Sequence, residues 1–377
     1  MKDSCIKFSA VGDISLGDHP LCIGFGAYSK FKAVPPIYPF EKVLAQLKKA
    51  ELLFGNLECA LSKENLKAND YDSSQMRGDS RHIKGLVEAG FKVLNFANNH
   101  CMQHGTEPFL ETVRLLEEYN INYCGVNLEN HLKGSPSIIE LNGIKVAFLG
   151  YSSRPRQYFS RNPLYSEGNI NSIEKDIIDV KEKVDSVIVS LHWGDEFIEK
   201  PSPEEISMGR KLIDAGAGLI IGHHPHILRG IENYKHGVII YSLGNFVCDM
   251  VWDRRLRESL IFCCDITKQG MENIELTPVF INDNYQPEIM DEDSGRALLL
   301  NVRKLSEDLN AETLSSFNKK LFNYQKEADD AQRLYRKKSH LFFISKIYKV
   351  SPIMPFRQIM TYVKNRANEF SKKPAQN

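Results

Sequence analysis

Short, almost wholly apolar runs alternate along the chain with longer segments of helical spacing. Ile6–Val11, Leu52–Asn56, Lys92–Phe96, Ile144–Gly150, Ser186–Leu191, Gly218–Ile221 and Val238–Ser242 predict strands, several of them of the type buried on both faces. Phe40–Lys49, Arg81–Ala89, Glu107–Tyr119 and Pro203–Ala215 predict helices between them. In the third helix Phe109, Leu110, Val113 and Leu116 share one face. The fourth has proline in its first turn and stops at Gly216, as Gly90 stops the second. Leu260–Ile266 and Ile274–Phe280 follow each other with no helix between and predict an antiparallel pair, hence a mixed sheet or a second sheet.

This alternation predicts an α/β domain over residues 1–285. Two aperiodic stretches inside it, 14–39 and 59–78, have the length of binding loops. Residues 282–293 carry five acidic side chains and read as a linker. Residues 294–338 read as a charged helical segment, the start of a helical, basic extension over 294–377.

Composition changes this picture in one respect. The 377 residues have formal net charge zero and 42% apolar side chains, which excludes a disordered chain. The balance is uneven, however. From Ala331 onward there are eleven Lys or Arg and one acid, Glu369, so the first 330 residues carry a net of −10. Residues 331–370 mix the basic side chains with apolar ones, and Pro352 and Pro355 split them into two short amphipathic pieces. Such pieces either lie on an anionic membrane face or pack on the body with their charges in water. No nucleic-acid-binding module surrounds them, and no nucleic acid is expected as a partner. The eight cysteines form no C-x-x-C pair and sit mostly in apolar runs, as buried free thiols do in a reducing compartment. The first residues show no leader pattern, and no run of about 18 apolar residues exists, so a cytoplasmic protein, peripheral on the inner membrane face, is expected.

Candidate chemistry lies where strands end. Asp13 closes the first strand, Asn56 and Glu58 the second, and Asn98, Asn99 and His100 the third. His192 closes a later strand; His223, His224 and His226 follow another, and Asn245 the next. In open α/β sheets the carboxyl ends of strands converge on one crevice, so these groups are expected to meet. Carboxylate, imidazole and amide oxygen together suit a divalent cation such as Mn, Zn, Fe or Mg, one ion or two. Such an ion activates water and grips a phosphoryl oxygen. Each residue alone has a plainer reading: Asp13 as a helix cap, Asn98-Asn99 as a turn, Glu58 as a solvated acid. Arg77, Arg154, Trp193, Glu196 and Asn245 stand beside these motifs as candidate substrate contacts, with ordinary loop or packing roles as the alternative.

At these strings the sequence resembles the bacterial capsule-synthesis CapA/PGA_cap family, associated with poly-γ-glutamate. The strings are Val11-Gly12-Asp13, Gly55-Asn56-Leu57-Glu58, Ala97-Asn98-Asn99-His100, Leu191-His192-Trp193-Gly194-Asp195-Glu196, Gly222-His223-His224-Pro225-His226 and Tyr241-Ser242-Leu243-Gly244-Asn245-Phe246. That family looks like a branch of the calcineurin-like metallophosphoesterases. The resemblance implies a four-layer α/β/β/α sandwich around a one- or two-metal centre. It implies Asp13, Glu58, Asn99, His192, His224 and His226 as metal ligands and His100 with Asn99 at the catalytic step. His223 becomes a neighbour of the substrate. The wider superfamily begins with Asp-x-His, whereas here Asp13 is followed by Ile14 and Ser15. Two readings follow: a metal-dependent hydrolase of a phosphorylated or anionic-polymer substrate, and a non-catalytic assembly factor for an anionic capsular polymer on the inner membrane face.

Overall fold

Strand β1 (Ile6–Ile14) is buried along its whole length except at Lys7, and the rest of the fold is arranged around it. The computed structural model describes residues 4–63, 73, 75–154, 156, 163–310 and 317–350. After β1 come β2 (Leu52–Leu57), β3 (Ala60–Leu61), β4 (Arg77–Gly78), β5 (Phe91–Asn95) and β6 (Asn122–Cys124). Next are β7 (Ser137–Leu141), β8 (Ile144–Ser152), β9 (Ser186–His192), β10 (Leu219–His223), β11 (Ile231–Tyr234) and β12 (Gly237–Ile240). The last are β13 (Asn245–Val247), β14 (Glu258–Thr267), β15 (Gly270–Ile281) and β16 (Pro287–Ile289). The helices are α1 (Ala27–Phe31), α2 (Leu44–Leu47), α3 (Ile83–Ala89), α4 (Thr106–Glu118), α5 (Ile170–Lys181), α6 (Pro203–Ala215), α7 (Glu292–Asn310) and α8 (Phe317–Val350).

Two mixed sheets form. One runs β16-β15-β14-β1-β2-β5-β6, with β13 paired to the end of β1; the other runs β11-β12-β10-β9-β8-β7. Side chains alternate between faces along each strand, and this sorts the core into layers. Phe8, Ala10, Phe54 and Val93 point from the first sheet to Val146, Phe148, Ile188 and Ile221 of the second. Phe54 and Phe148 stack there with centroids 5.7 Å apart. The next residue along each strand faces outward: Leu53, Leu57 and Leu94 meet Phe40, Leu86, Phe109 and Leu116. On the far side Leu149, Val189 and Ile220 meet Ile173, Ile177, Leu212 and Ile213 of α5 and α6. Helix, sheet, sheet, helix is the four-layer α/β/β/α sandwich. Each fully buried Leu or Phe contributes roughly 1.5–3 kcal/mol to holding the layers together.

Local signals set the helix ends. Ser202 and Glu205 form a capping box, Pro203 occupies the first turn of α6, and Gly216 closes it at φ 124°. The segment 282–293, expected as a linker, instead contributes β16, whose Val279↔Ile289 pairing adds it to the first sheet. Its five acids mask three residues, Tyr285, Gln286 and Pro287, that are buried. Helix α7 then inserts Leu298 and Val302 into the core between the sheets. Helix α8 runs unbroken to Val350; Pro352, Pro355 and the second amphipathic piece lie outside the described residues. No helix among the described residues is long and apolar enough to cross a membrane. All eight cysteines are free.

Candidate metal centre

Strand register brings the polar residues into line. Across the first sheet Asn245, Asp13, Asn56 and Asn95 are successive partners on β13, β1, β2 and β5. Across the second, Ser152, His192 and His223 are partners on β8, β9 and β10. Apart from Asn245, which opens β13, both rows lie at or near the carboxyl ends of parallel strands, where the crevice opens. Backbone proximity fixes the alignment. The Asp13 N–H donates to the Gly244 carbonyl at 3.0 Å, and a Cβ on Gly12 would lie 1.9 Å from that same oxygen. Only glycine at 12 lets the two segments cross.

Asp13 is the most heavily partnered member. Its Oδ1 accepts from Asn56 Nδ2 at 2.8 Å and lies 3.1 Å from His223 Nδ1; its Oδ2 accepts from the His224 backbone N–H at 3.2 Å. His192 Nε2 sits 2.8 Å from Asn99 Oδ1, 3.1 Å from His224 Nδ1 and 3.4 Å from Glu58 Oε1. His226 Nδ1 is 3.0 Å from Asn245 Oδ1, 3.6 Å from Asp13 Oδ2 and 3.9 Å from Glu58 Oε2. His224 and His226 adopt φ of 94° and 60°. Positive φ costs a non-glycine residue about 1–3 kcal/mol, and such strain collects at functional sites. The His-Pro-His turn holds two imidazoles in the crevice at that cost.

Glu58 stands apart from the others. It is 1% exposed, and among the described residues neither of its carboxyl oxygens accepts a hydrogen bond. Burial, then the charges of Asp13 and Glu196, pushes its pKa well above the carboxylate range. Burial would raise Asp13 too, but the hydrogen bond from His223, together with the neighbouring His223 and His226 imidazoles, holds it well below that range. Burial pushes His192 and His224 well below the ordinary imidazole value and His100 down to about 4, so these rings are neutral near pH 7. Neutral imidazole is the metal-binding form. Ligand atoms of Glu58, His224 and His226 all lie within 4.8 Å of one another. A buried carboxyl group that accepts no hydrogen bond from the described residues, faced by two imidazoles at this spacing, fits a divalent cation.

A cleft of about 160 Å³ opens onto this cluster, lined by Glu58, His100, His226 and Glu196 together with Phe197, Met250 and Tyr335. The structure therefore brings Asp13, Glu58, Asn99, His100, His192, His223, His224, His226 and Asn245 together, and Glu196 reaches them with Oε1 4.0 Å from His224 Nε2. Two expected substrate contacts lie elsewhere. Trp193 follows His192 in a strand-like path, so alternation sends it to the opposite face. It is 1% exposed there, stacks on Tyr241 and donates to the Tyr241 carbonyl at 3.2 Å. Arg77 is buried near Tyr28 and Glu111; its neighbour Met76, and not Arg77, is among the lining residues of the cleft. Arg154 is held by the Gly194 carbonyl and by Asp195, 3.3 Å away. Three contributors were not anticipated. Asn95 donates to Asn56 Oδ1 at 2.9 Å and orients it, Gln103 Oε1 sits 2.8 Å from His100 Nδ1, and Tyr335 arrives from α8. Asn95 was legible as the last polar residue of an apolar strand; Tyr335 carried no signal in the sequence.

Residues 7–250 match the family described as bacterial capsule synthesis protein PGA_cap. The capsule biosynthesis protein CapA of Bacillus anthracis is 30% identical over 296 residues, covering 74% of this chain and 68% of its own. The PGA biosynthesis protein CapA of Bacillus subtilis (strain 168) is 30% identical over 315 residues, covering 82% and 80%. Among solved structures, a 5'-nucleotidase from Candida albicans SC5314 aligns with TM-score 0.43 at 13% identity over 83% of this chain and 60% of that one. With a match that spans the strand ends from Asp13 to Asn245, the chain belongs to the bacterial capsule synthesis PGA_cap family.

Proposed function

We propose that this protein is a metal-dependent hydrolase of phosphoesterase type, acting on a phosphorylated or anionic-polymer substrate in the making of a capsule or envelope polymer of the poly-γ-glutamate class. The observation that carries the reading is Glu58, a buried carboxyl group with no donor to either oxygen among the described residues and with His192, His224 and His226 around it. An unsatisfied buried group of this kind costs about 1–3 kcal/mol, more when charged, and a cation removes that cost. Glu58, His224 and His226 would hold the ion, Mn, Zn, Fe or Mg, and Asp13, Asn99 and His192 are the donors adjacent to it for a second. A cation there would lower the pKa of water and hold a phosphoryl oxygen. His100 lines the cleft with its ring oriented by Gln103, placed to take or give a proton at the reacting group. Asn99 fixes the His192 ring through their 2.8 Å contact.

A second reading, a non-catalytic assembly factor for an anionic polymer, is favoured by two features. Ser15 lines the cleft two residues after Asp13, where the resemblance leads one to expect His, and no Lys or Arg lines it among the described residues. Metal analysis of the purified chain together with a bis(p-nitrophenyl) phosphate assay separates the two. The hydrolase reading expects His226→Ala to abolish turnover; full turnover in that variant removes it. Residues 331–370 are the proposed peripheral membrane contact. Within them Leu341 and Ile344 are 59% and 53% exposed on one side of α8, close to Leu334, with Arg333, Arg336 and Lys337 nearby. Failure of the full chain to co-sediment with anionic lipid vesicles would remove that contact.

A further inference from the structure

Helix α8 contributes Tyr335 to the lining of the cleft and is tied to the body at two points. Near its start the Tyr324 hydroxyl donates to Asp195 Oδ2 at 3.1 Å, just after β9. Four turns later Lys338 Nζ donates to Asp253 Oδ2 at 2.9 Å, on the loop after β13. These anchors reach both sheets. Between them Tyr335 joins Glu58 and His226 in the cleft lining. Its ring stacks on Phe197 with centroids 3.6 Å apart and planes 7° from parallel. Phe197 in turn stacks on the His226 ring at 6.0 Å. Trp252 meets Tyr335 edge-on at 5.6 Å, and the Tyr335 hydroxyl lies 3.5 Å from His19 Nε2. Phe197 thus covers a face of the tyrosine ring and Trp252 meets it edge-on, with His19 at its hydroxyl.

The space left is small. The cleft measures about 160 Å³. Pockets that enclose a drug-sized molecule run from roughly 300 to 1,000 Å³. A polymer threaded through the site would need the volume that Tyr335 and α8 fill. We propose that Tyr335 is a specificity-determining residue that closes the outer end of the cleft, so that the site takes a small terminal group, the phosphoryl or carboxyl end of a chain, and excludes an internal stretch of polymer. What the cleft binds rests on the hydrolase reading; the closure itself does not.

Cys248 lines the same cleft and is 3% exposed, which gives a readout of size selection that needs neither metal nor turnover. The metal-free full chain is treated with a small reagent, methyl methanethiosulfonate, and a bulky one, fluorescein maleimide, and labelling of Cys248 is followed by peptide mass mapping. The ratio of bulky to small labelling should rise about tenfold in Tyr335→Ala, the scale on which pocket size discriminates, and stay at the wild-type value in Tyr335→Phe. Cys101, buried in the core under the first sheet, reports on the fold and should stay unlabelled. If Tyr335→Ala exposes Cys101, Tyr335→Leu, which keeps an apolar contact with Phe197, decides instead. An unchanged ratio with Cys101 protected overturns the proposal. In the metal-loaded chain, kcat/KM for bis(p-nitrophenyl) phosphate relative to phenyl phosphate should rise with the labelling ratio. A raised labelling ratio with unchanged substrate preference overturns the specificity role. Absence of turnover in every variant overturns the hydrolase reading, and the labelling ratio still decides the closure.

Discussion

Two buried polar clusters flank the second sheet, and they are built on opposite principles. Beside α6, Arg229 is 0% exposed and uses its whole fork: Nε donates to the Ile198 carbonyl at 2.8 Å, Nη1 to Glu205 Oε1 at 2.6 Å and Nη2 to the Asp195 carbonyl at 2.8 Å. Glu205 Oε2 also accepts the Ser202 N–H at 2.8 Å. At the crevice Glu58 is just as buried and its oxygens accept nothing. A satisfied cluster has its desolvation cost offset within the chain and specifies packing. An unsatisfied one leaves a cost that the chain does not offset, and it marks the place for something the chain binds.

The sharpest way to break this contrast is Glu58→Gln. It should lower affinity for the cation by more than the roughly 10–100-fold that an outer-shell partner costs, while metal-free stability stays level or rises. Equilibrium dialysis against Mn or Zn, with urea unfolding alongside, checks both halves; undiminished affinity would make Glu58 a bystander. Arg229→Met should behave in the opposite way. It strands Glu205 in the core and should cost about 3–5 kcal/mol in urea unfolding, with metal content per folded molecule unchanged. A loss below about 1 kcal/mol would mean that the satisfied cluster contributes little.

A third cluster lies between these extremes and gives the smallest effect. Asp18 and Asp249 are 0% exposed. Asp18 accepts from the Gly24 and Ser29 N–H groups at 3.0 and 2.9 Å, and Asp249 Oδ2 from the His19 and Ala27 N–H groups at 2.9 and 3.1 Å; Asp249 Oδ1 has no partner. Burial raises Asp18 to about 6, and burial with the Asp18 charge raises Asp249 to about 7. The folded chain therefore binds these protons more tightly than the unfolded chain. The stability they contribute is full below the ordinary carboxylate range and is lost as pH climbs through about 6 and then about 7. The change should be on the order of a few kcal/mol, shared by the pair. Asp249→Asn should flatten the fall of the urea midpoint over that interval; an equally steep fall in the variant would remove the assignment.

Much of the site was legible because strands end in a recognisable way. Asp13, Asn56, Asn95, His192 and His223 are each the polar residue at which an apolar run stops or nearly stops, and parallel strands deliver their carboxyl ends to one edge. The same alternation, carried one residue further, places Trp193 on the outer face, where it packs on Tyr241. Adjacency in sequence to a motif was the misleading cue there. The acidic stretch 282–293 misled for a related reason: charge count says nothing about strand pairing, which a few residues around Tyr285 and Ile289 secure against β15.

By itself the sequence determined the alternation of strands and helices and which polar residues stand at the strand ends, with the kind of atom each offers, because periodicity and the ends of strands are local properties. Only the tertiary structure decided which imidazole nitrogen faces which oxygen, that Glu58 is left without a donor, and that Tyr335, 277 positions further along, closes the cleft. Those outcomes depend on the register between strands and on how the sheets and α8 pack, and contacts between distant parts of a chain leave no periodic trace along it.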